Sequence, residues 1–206
     1  RAAVEIARSA ADGKNVWIAG DIGPIPVNGT EDAAAAADEY YQIAKTFAET
    51  GVKVLDFETF ADLDGILPAI KKIRAEYDMF IAVSFSVNQF GYSASGLSAK
   101  RLLADAAAVP EIDAVGLNCG VGPAHMRQIL EKAGRPGDKF LLAIPNAGYP
   151  TLTRNKLQFG NTPAYFAEKM KELQALGADI LGGCCGTTPE FIGEMSLWDG
   201  ILNKIV

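Results

Sequence analysis

Ala178-Asp179-Ile180-Leu181-Gly182-Gly183-Cys184-Cys185-Gly186-Thr187-Thr188-Pro189 reads as a strand, a tight glycine-rich turn and the start of a helix. The apolar residues from Ala178 to Gly182 supply the strand. Thr188-Pro189 supplies a capping side chain followed by proline at the first helical position. Neighbouring residues on a regular strand point to opposite faces. Cys184 and Cys185 can therefore serve one site only if the backbone bends sharply between them, and the flanking glycines permit that bend.

The same strand-turn-helix unit recurs upstream. Amphipathic helix material from Ala2 to Asp12 comes first. The run Asn15-Val16-Trp17-Ile18-Ala19 then leads into Gly20-Asp21-Ile22-Gly23-Pro24, and a strong helix is expected from Glu31 to Thr50. Val52 to Phe57 is a strand that delivers Glu58 and Thr59. Ala61 to Tyr77 reads as a helix with Pro68 as a kink. Met79 to Phe85 is a strand, followed by a polar loop from Ser86 to Gly96 and a helix from Leu97 to Ala108. The strand Asp113 to Leu117 delivers Asn118 and Cys119, and a helix starts at Pro123. Lys139 to Ile144 is a strand, and a long loop runs from Pro145 to Asn161. A helix spans Thr162 to Gly177, ahead of the opening unit. Trp17, Phe80 and Phe140 are read as core residues, and Lys71, Lys72 and Arg74 as a solvated helix face.

One helix and six β-α units result. Their strands are continuous apolar runs, as expected of a parallel sheet covered on its faces. An open doubly wound sheet and a (β/α)8 barrel both fit this pattern. Six units fall short of eight, and the chain opens on a helix with no strand before it, as though earlier units were missing.

The 206 residues suffice for one domain with a full core. The net charge of -6 comes from scattered acids, which argues against nucleic acid or an anionic membrane as partner. No apolar run approaches the ~18 residues of a membrane span, and the N-terminal residues lack the apolar core of a secretion signal. Cys119, Cys184 and Cys185 are an odd number with two adjacent, a poor disulfide framework. A reducing, cytoplasmic setting is expected, with the thiols serving metal binding or catalysis.

Asp21, Glu58, Ser84, Ser86, Asn118, Cys119, Asn146, Cys184 and Cys185 all fall at or just past strand carboxyl ends. Parallel α/β folds place active sites at that edge. Three thiolates suit zinc and leave one coordination position open, the pattern of a catalytic site. His125, the sole histidine, is expected to face solvent. A dication already neutralised by three thiolates activates water poorly and is better suited to a substrate thiol. A free thiol of pKa about 8.5 is only a few per cent ionised at neutral pH, and removing that penalty is worth roughly 2 kcal/mol.

Gly116 to Pro123, Pro145-Asn146-Ala147-Gly148-Tyr149-Pro150 and Gly182 to Pro189 together resemble the homocysteine S-methyltransferases, most of all the homocysteine-binding module of cobalamin-dependent methionine synthases. The resemblance implies an α/β fold of the (β/α)8 TIM-barrel type, with only strands three to eight and their helices in this chain. Residues 1–206 would form one partial homocysteine-binding domain lacking the first two β-α units. It also implies zinc held by Cys119, Cys184 and Cys185, and homocysteine bound through sulfur as a thiolate nucleophile that is converted to methionine. Glu58, Asn146 and Ser84 are the expected substrate-binding residues. Methylcobalamin and methyltetrahydrofolate on further modules are the expected methyl source. The alternatives are S-methylmethionine or betaine as donor, or an inactive zinc- and thiol-binding remnant.

Overall fold

The computed structural model describes residues 1–26, 31–153 and 156–196. Six strands form one parallel sheet: β1 (Ala19–Ile22), β2 (Val54–Phe60), β3 (Phe80–Phe85), β4 (Ala114–Asn118), β5 (Phe140–Ile144) and β8 (Ile180–Leu181). Their spatial order is β1-β2-β3-β4-β5-β8, the order of the chain. A doubly wound sheet would reverse direction at a switch point. Here every crossover steps the same way, as in a (β/α)8 barrel. The fold is a partial barrel of that type, a curled six-stranded parallel sheet with helices on its outer face.

Helices α1 (Ala2–Ala11), α2 (Glu31–Glu49), α3 (Leu67–Glu76), α4 (Ala99–Ala107), α5 (Pro123–Ala133), α6 (Pro163–Ala175) and α7 (Pro189–Ser196) supply the cover. The main core lies between helices and sheet, where Leu55, Phe57, Ile70, Ile73, Phe85, Leu117 and Phe166 are fully buried. The inner face carries a second, smaller cluster, Ala82, Ala114 and Leu142, with Phe80, Ile144 and Ile180 packed on it. That face lines a cleft of about 150 Å³ together with Trp17, Ala19, Val54 and Asp56. Both faces of the central strands are thus apolar, which explains why their sequences run without alternation.

The amino ends of the strands are tied by two acids. Asp113 Oδ2 accepts the Ile81 amide at 2.7 Å and pairs with Arg74, whose guanidinium also donates to the carbonyls of Met79 and Glu111. Asp179 Oδ2 accepts the Leu141 amide at 2.9 Å and pairs with Arg135 at 2.8 Å. Arg74 is therefore a half-buried strut rather than part of a solvated face, and Lys72 lies 3.6 Å from the Tyr41 ring centroid.

Three further expectations change. Pro68 starts α3 instead of kinking it, because a proline in the first turn removes no intrahelical bond. The segment after β5 contains an antiparallel hairpin, β6 (Pro150–Thr153) and β7 (Lys156–Phe159), where an irregular loop was expected. Thr151 and Phe159 are strand-favouring types in that segment. Trp17 and Phe140 are 65% and 51% exposed, since they stand at the lower rim of the inner face rather than under the helices.

Candidate metal centre

Each strand of the sheet ends at the same edge, and the thiols meet there. β8 stops at Leu181, so Cys184 and Cys185 lie in the turn beyond it rather than on a strand. The turn is pinned on both sides. The Cys184 amide donates to the Pro145 carbonyl at 2.9 Å, the Cys185 amide donates to Asn146 Oδ1 at 3.1 Å, and the Ala147 amide donates to the Cys185 carbonyl at 2.9 Å. Thr187 closes the turn by donating its amide and hydroxyl to the Cys184 carbonyl, at 3.1 and 2.7 Å. Gly186 has φ +80° and lies against the Phe159 ring, so a side chain there has neither the conformation nor the space it needs.

Cys119 follows β4 with φ +55°, and its amide donates to the Ile144 carbonyl at 2.9 Å. Among the described residues, the only other non-glycine with positive φ is Thr59, at the end of β2. Left-handed backbone at such residues is strained and is retained where surrounding contacts hold it. The three Sγ atoms lie within 4.8 Å of one another, and Cys119 and Cys185 are 3.6 Å apart. Thiolates around a tetrahedral zinc at about 2.3 Å stand about 3.8 Å from each other. The donor set therefore fits zinc in type and in spacing, with one position left over. Burial, reinforced by the neighbouring thiols, pushes the Cys184 thiol well above its ordinary range, and burial raises Cys185 in the same direction. A metal must displace these protons to bind.

Beside the thiols lies a polar knot centred on Asn118, which is fully buried. Its Oδ1 accepts the Thr59 amide at 2.8 Å and the Ser84 hydroxyl at 3.1 Å. Its Nδ2 donates to Glu58 Oε2 at 3.1 Å and Thr59 Oγ1 at 2.7 Å. The expected substrate-binding residues thus fall into two groups. Glu58 and Ser84 are joined through Asn118, and Ser84 is completely buried with its hydroxyl committed there. Asn146, 5% exposed, is joined to the cysteine turn. His125 stands apart: it is exposed, with its ring edge-on to Tyr149. Asn118 and Thr59 had no role assigned from sequence beyond their place at strand ends. Their contacts join positions about 60 apart in the chain, which local patterning does not carry.

Acids line the inner face below this knot. Asp21 and Asp56 are register partners on β1 and β2. Burial pushes Asp56 up to about 7, helped by the charges of Glu58 and Asp21, and Asp56 Oδ1 is buried without a hydrogen-bond partner among the described residues. Burial and Asp21 also raise Glu58, against the lowering effect of the Asn118 hydrogen bond. An acid whose pKa rises on folding binds its proton more tightly when folded. The Asp56 contribution is fully present below pH 3.8 and lost as pH rises through about 7. Asp56→Asn should therefore be more stable than the parent by an amount that widens between pH 4 and 7 and then levels off, with a ceiling of about 4 kcal/mol. Chemical denaturation across that range measures it, and a gap independent of pH would contradict the assignment.

The homocysteine S-methyltransferase family model matches residues 1–197. The chain belongs to that family. It is 29% identical over 205 residues to the methionine synthase of Mycobacterium tuberculosis (strain ATCC 25618 / H37Rv), covering 93% of this chain and 17% of that protein. It is 28% identical over 188 residues to the methionine synthase of Mycobacterium leprae (strain TN), covering 87% of this chain and 16% of that protein. The chain thus spans about a sixth of the length of these relatives. Its fold is similar to that of the homocysteine methyltransferase MmuM from Escherichia coli in its apo form, with TM-score 0.69 and 20% identity over 95% of this chain and 66% of that one. The metallated form of MmuM is equally similar, with TM-score 0.69 and 19% identity over 94% of this chain and 65% of that one. No helix among the described residues is long and apolar enough to cross a membrane.

Proposed function

We propose that this chain holds zinc through Cys119, Cys184 and Cys185 and binds homocysteine for methylation at sulfur, giving methionine. The observation that carries the reading is the three-thiol cluster itself, assembled from the turns after β4 and β8 at the sheet edge where such folds do chemistry. Zinc bound there would supply deprotonation of the substrate thiol at neutral pH, leaving its sulfur nucleophilic. The protein's own residues do the rest. Glu58, braced by Asn118, offers a carboxylate to the substrate ammonium. Asn146 fixes the Cys185 backbone and so the direction of that thiol. In the transfer, the substrate sulfur forms a bond to the methyl carbon as the bond from methyl to donor breaks, and the electron pair of that bond leaves with the donor.

The donor we propose is methylcobalamin carried by a separate module and recharged from methyltetrahydrofolate, the source that the motif resemblance implies. Similarity to two methionine synthases supports methionine as the product. S-methylmethionine and betaine are the small-molecule alternatives. The free thiols fit a reducing, cytoplasmic setting. The test is to offer the zinc-loaded chain homocysteine with methylcobalamin, S-methylmethionine or betaine in turn and to measure methionine. Turnover with methylcobalamin alone is expected. Turnover only with a sulfonium or betaine would reassign the donor. Zinc binding without homocysteine uptake would overturn the enzymatic reading and leave a metal-binding remnant.

A further inference from the structure

We infer that Asn118 is a positioning residue that couples recognition of the substrate ammonium to the metal centre, acting through Glu58 on one side and the strained Cys119 on the other. The inference rests on the reading that Glu58 receives the ammonium of a zinc-held thiol amino acid. Four hydrogen bonds converge on the buried Asn118 amide. An amide side chain offers two acceptor lone pairs and two donor hydrogens, and here all four are used. Its acceptor oxygen is filled by Thr59 and Ser84, so the amide cannot flip without setting its NH₂ against the Thr59 N–H. The fixed orientation aims Nδ2 at Glu58 and the Thr59 hydroxyl.

Two consequences follow from that fixed fork. Glu58 stands at a half-buried position beside other acids, where a free carboxylate would swing outward or take up a proton. The Asn118 N–H holds Oε2 in place and favours the ionised form that an ammonium needs. The two described non-glycine residues with left-handed backbone are the two adjoining this amide, Thr59 through its bonded N–H and Cys119 through the peptide bond. Asn118 thereby sets both where the carboxylate lies and where the first thiol emerges from β4. Aspartate at this position keeps the acceptor bonds to Thr59 and Ser84 but cannot donate to Glu58, and it puts a second negative charge against it.

Binding to the zinc-loaded chain, measured by calorimetry, separates this role from a merely structural one. L-homocysteine and 4-mercaptobutyrate, which is the same thiol acid without its amino group, are the two probes. Asn118→Asp is expected to weaken homocysteine roughly 10- to 100-fold, the range for a hydrogen bond to a charged group, while 4-mercaptobutyrate changes less than about threefold. In a Glu58→Gln background, where the ammonium partner is already gone, the same substitution should have little further effect on homocysteine. Equal weakening of both thiols, or additive effects of the two substitutions, would overturn the inference. Should Asn118→Asp fail to fold or to hold zinc, Ser84→Ala is the milder variant. It removes one of the two bonds that fix the amide oxygen and leaves the Thr59 bond in place, with a smaller loss of the same selectivity expected and the same contrary result. If the unaltered chain binds neither thiol, it is the proposed function that fails. If it binds both and these variants lose no selectivity, only the coupling role fails.

Discussion

Cys184→Ser is expected to lower zinc affinity by at least about a thousandfold and to leave no zinc after dialysis at neutral pH. Zinc held by thiolate and imidazole ligands is bound by roughly 10–16 kcal/mol in structural sites, so each ligand carries several kcal/mol. The chain has three thiols at the site and no histidine near enough to replace one, since His125 is turned out against Tyr149. A serine hydroxyl is a hard, neutral donor and does not stand in for a thiolate. The turn itself should survive, because its hydrogen bonds to Pro145, Asn146, Ala147 and Thr187 use only backbone groups of residues 184 and 185. The variant should therefore fold and still lose the metal, as metal analysis beside circular dichroism would show. Full zinc retention would mean that the thiol cluster is not the metal site.

The second large effect is expected at Gly120. Its φ is +68°, and a Cβ built there would lie 2.2 Å from the Val87 carbonyl oxygen and 3.1 Å from Ser86 Oγ. The left-handed conformation alone costs a non-glycine residue about 1–2 kcal/mol. The overlap with Val87 is a clash with backbone, which no side-chain rotation relieves. Gly120→Ala should therefore destabilise the fold by about 3 kcal/mol or more, a value reserved for core or strained-backbone changes. The damage should reach the metal as well, because the turn after β4 must shift and Cys119 shifts with it. Thermal melts with and without zinc measure both effects. A loss under about 0.5 kcal/mol with zinc affinity intact would show that the close approach of this turn to the end of β3 does not hold Cys119 in place.

Much of this was legible in the sequence because the physics behind it is local. The apolar runs around Val54, Ile81, Val115 and Leu141 mark strands buried on both faces, and Thr162-Pro163 and Thr188-Pro189 mark helix starts. The three cysteines and Asn146 lie beside glycine and proline just past strand ends, so their shared edge could be read from topology. The hydrophobic pattern alone left an open and a barrel-type sheet equally possible, because strand order is a matter of which distant backbone groups pair. It was the resemblance of the three motifs that pointed to the barrel type, and the strand order β1-β2-β3-β4-β5-β8 agrees. Pro68, Trp17 and Phe140 were misplaced for a related reason. A proline within an apolar stretch and aromatics within strands look alike whether they sit at the middle of an element or at its rim. Asn118 is the sharpest case. Its neighbour Cys119 advertised chemistry, while the amide's own role lies in partners about 60 residues away.

The measurement that bears most directly on the central claim is X-ray absorption at the zinc edge of the zinc-loaded chain, before and after addition of L-homocysteine. Three sulfur neighbours at about 2.3 Å, from Cys119, Cys184 and Cys185, are predicted at the start, with a lighter atom in the remaining position. Homocysteine should replace that lighter atom with a fourth sulfur at the same distance. A sulfur count below three at the start, or a count unchanged by homocysteine, would contradict the account.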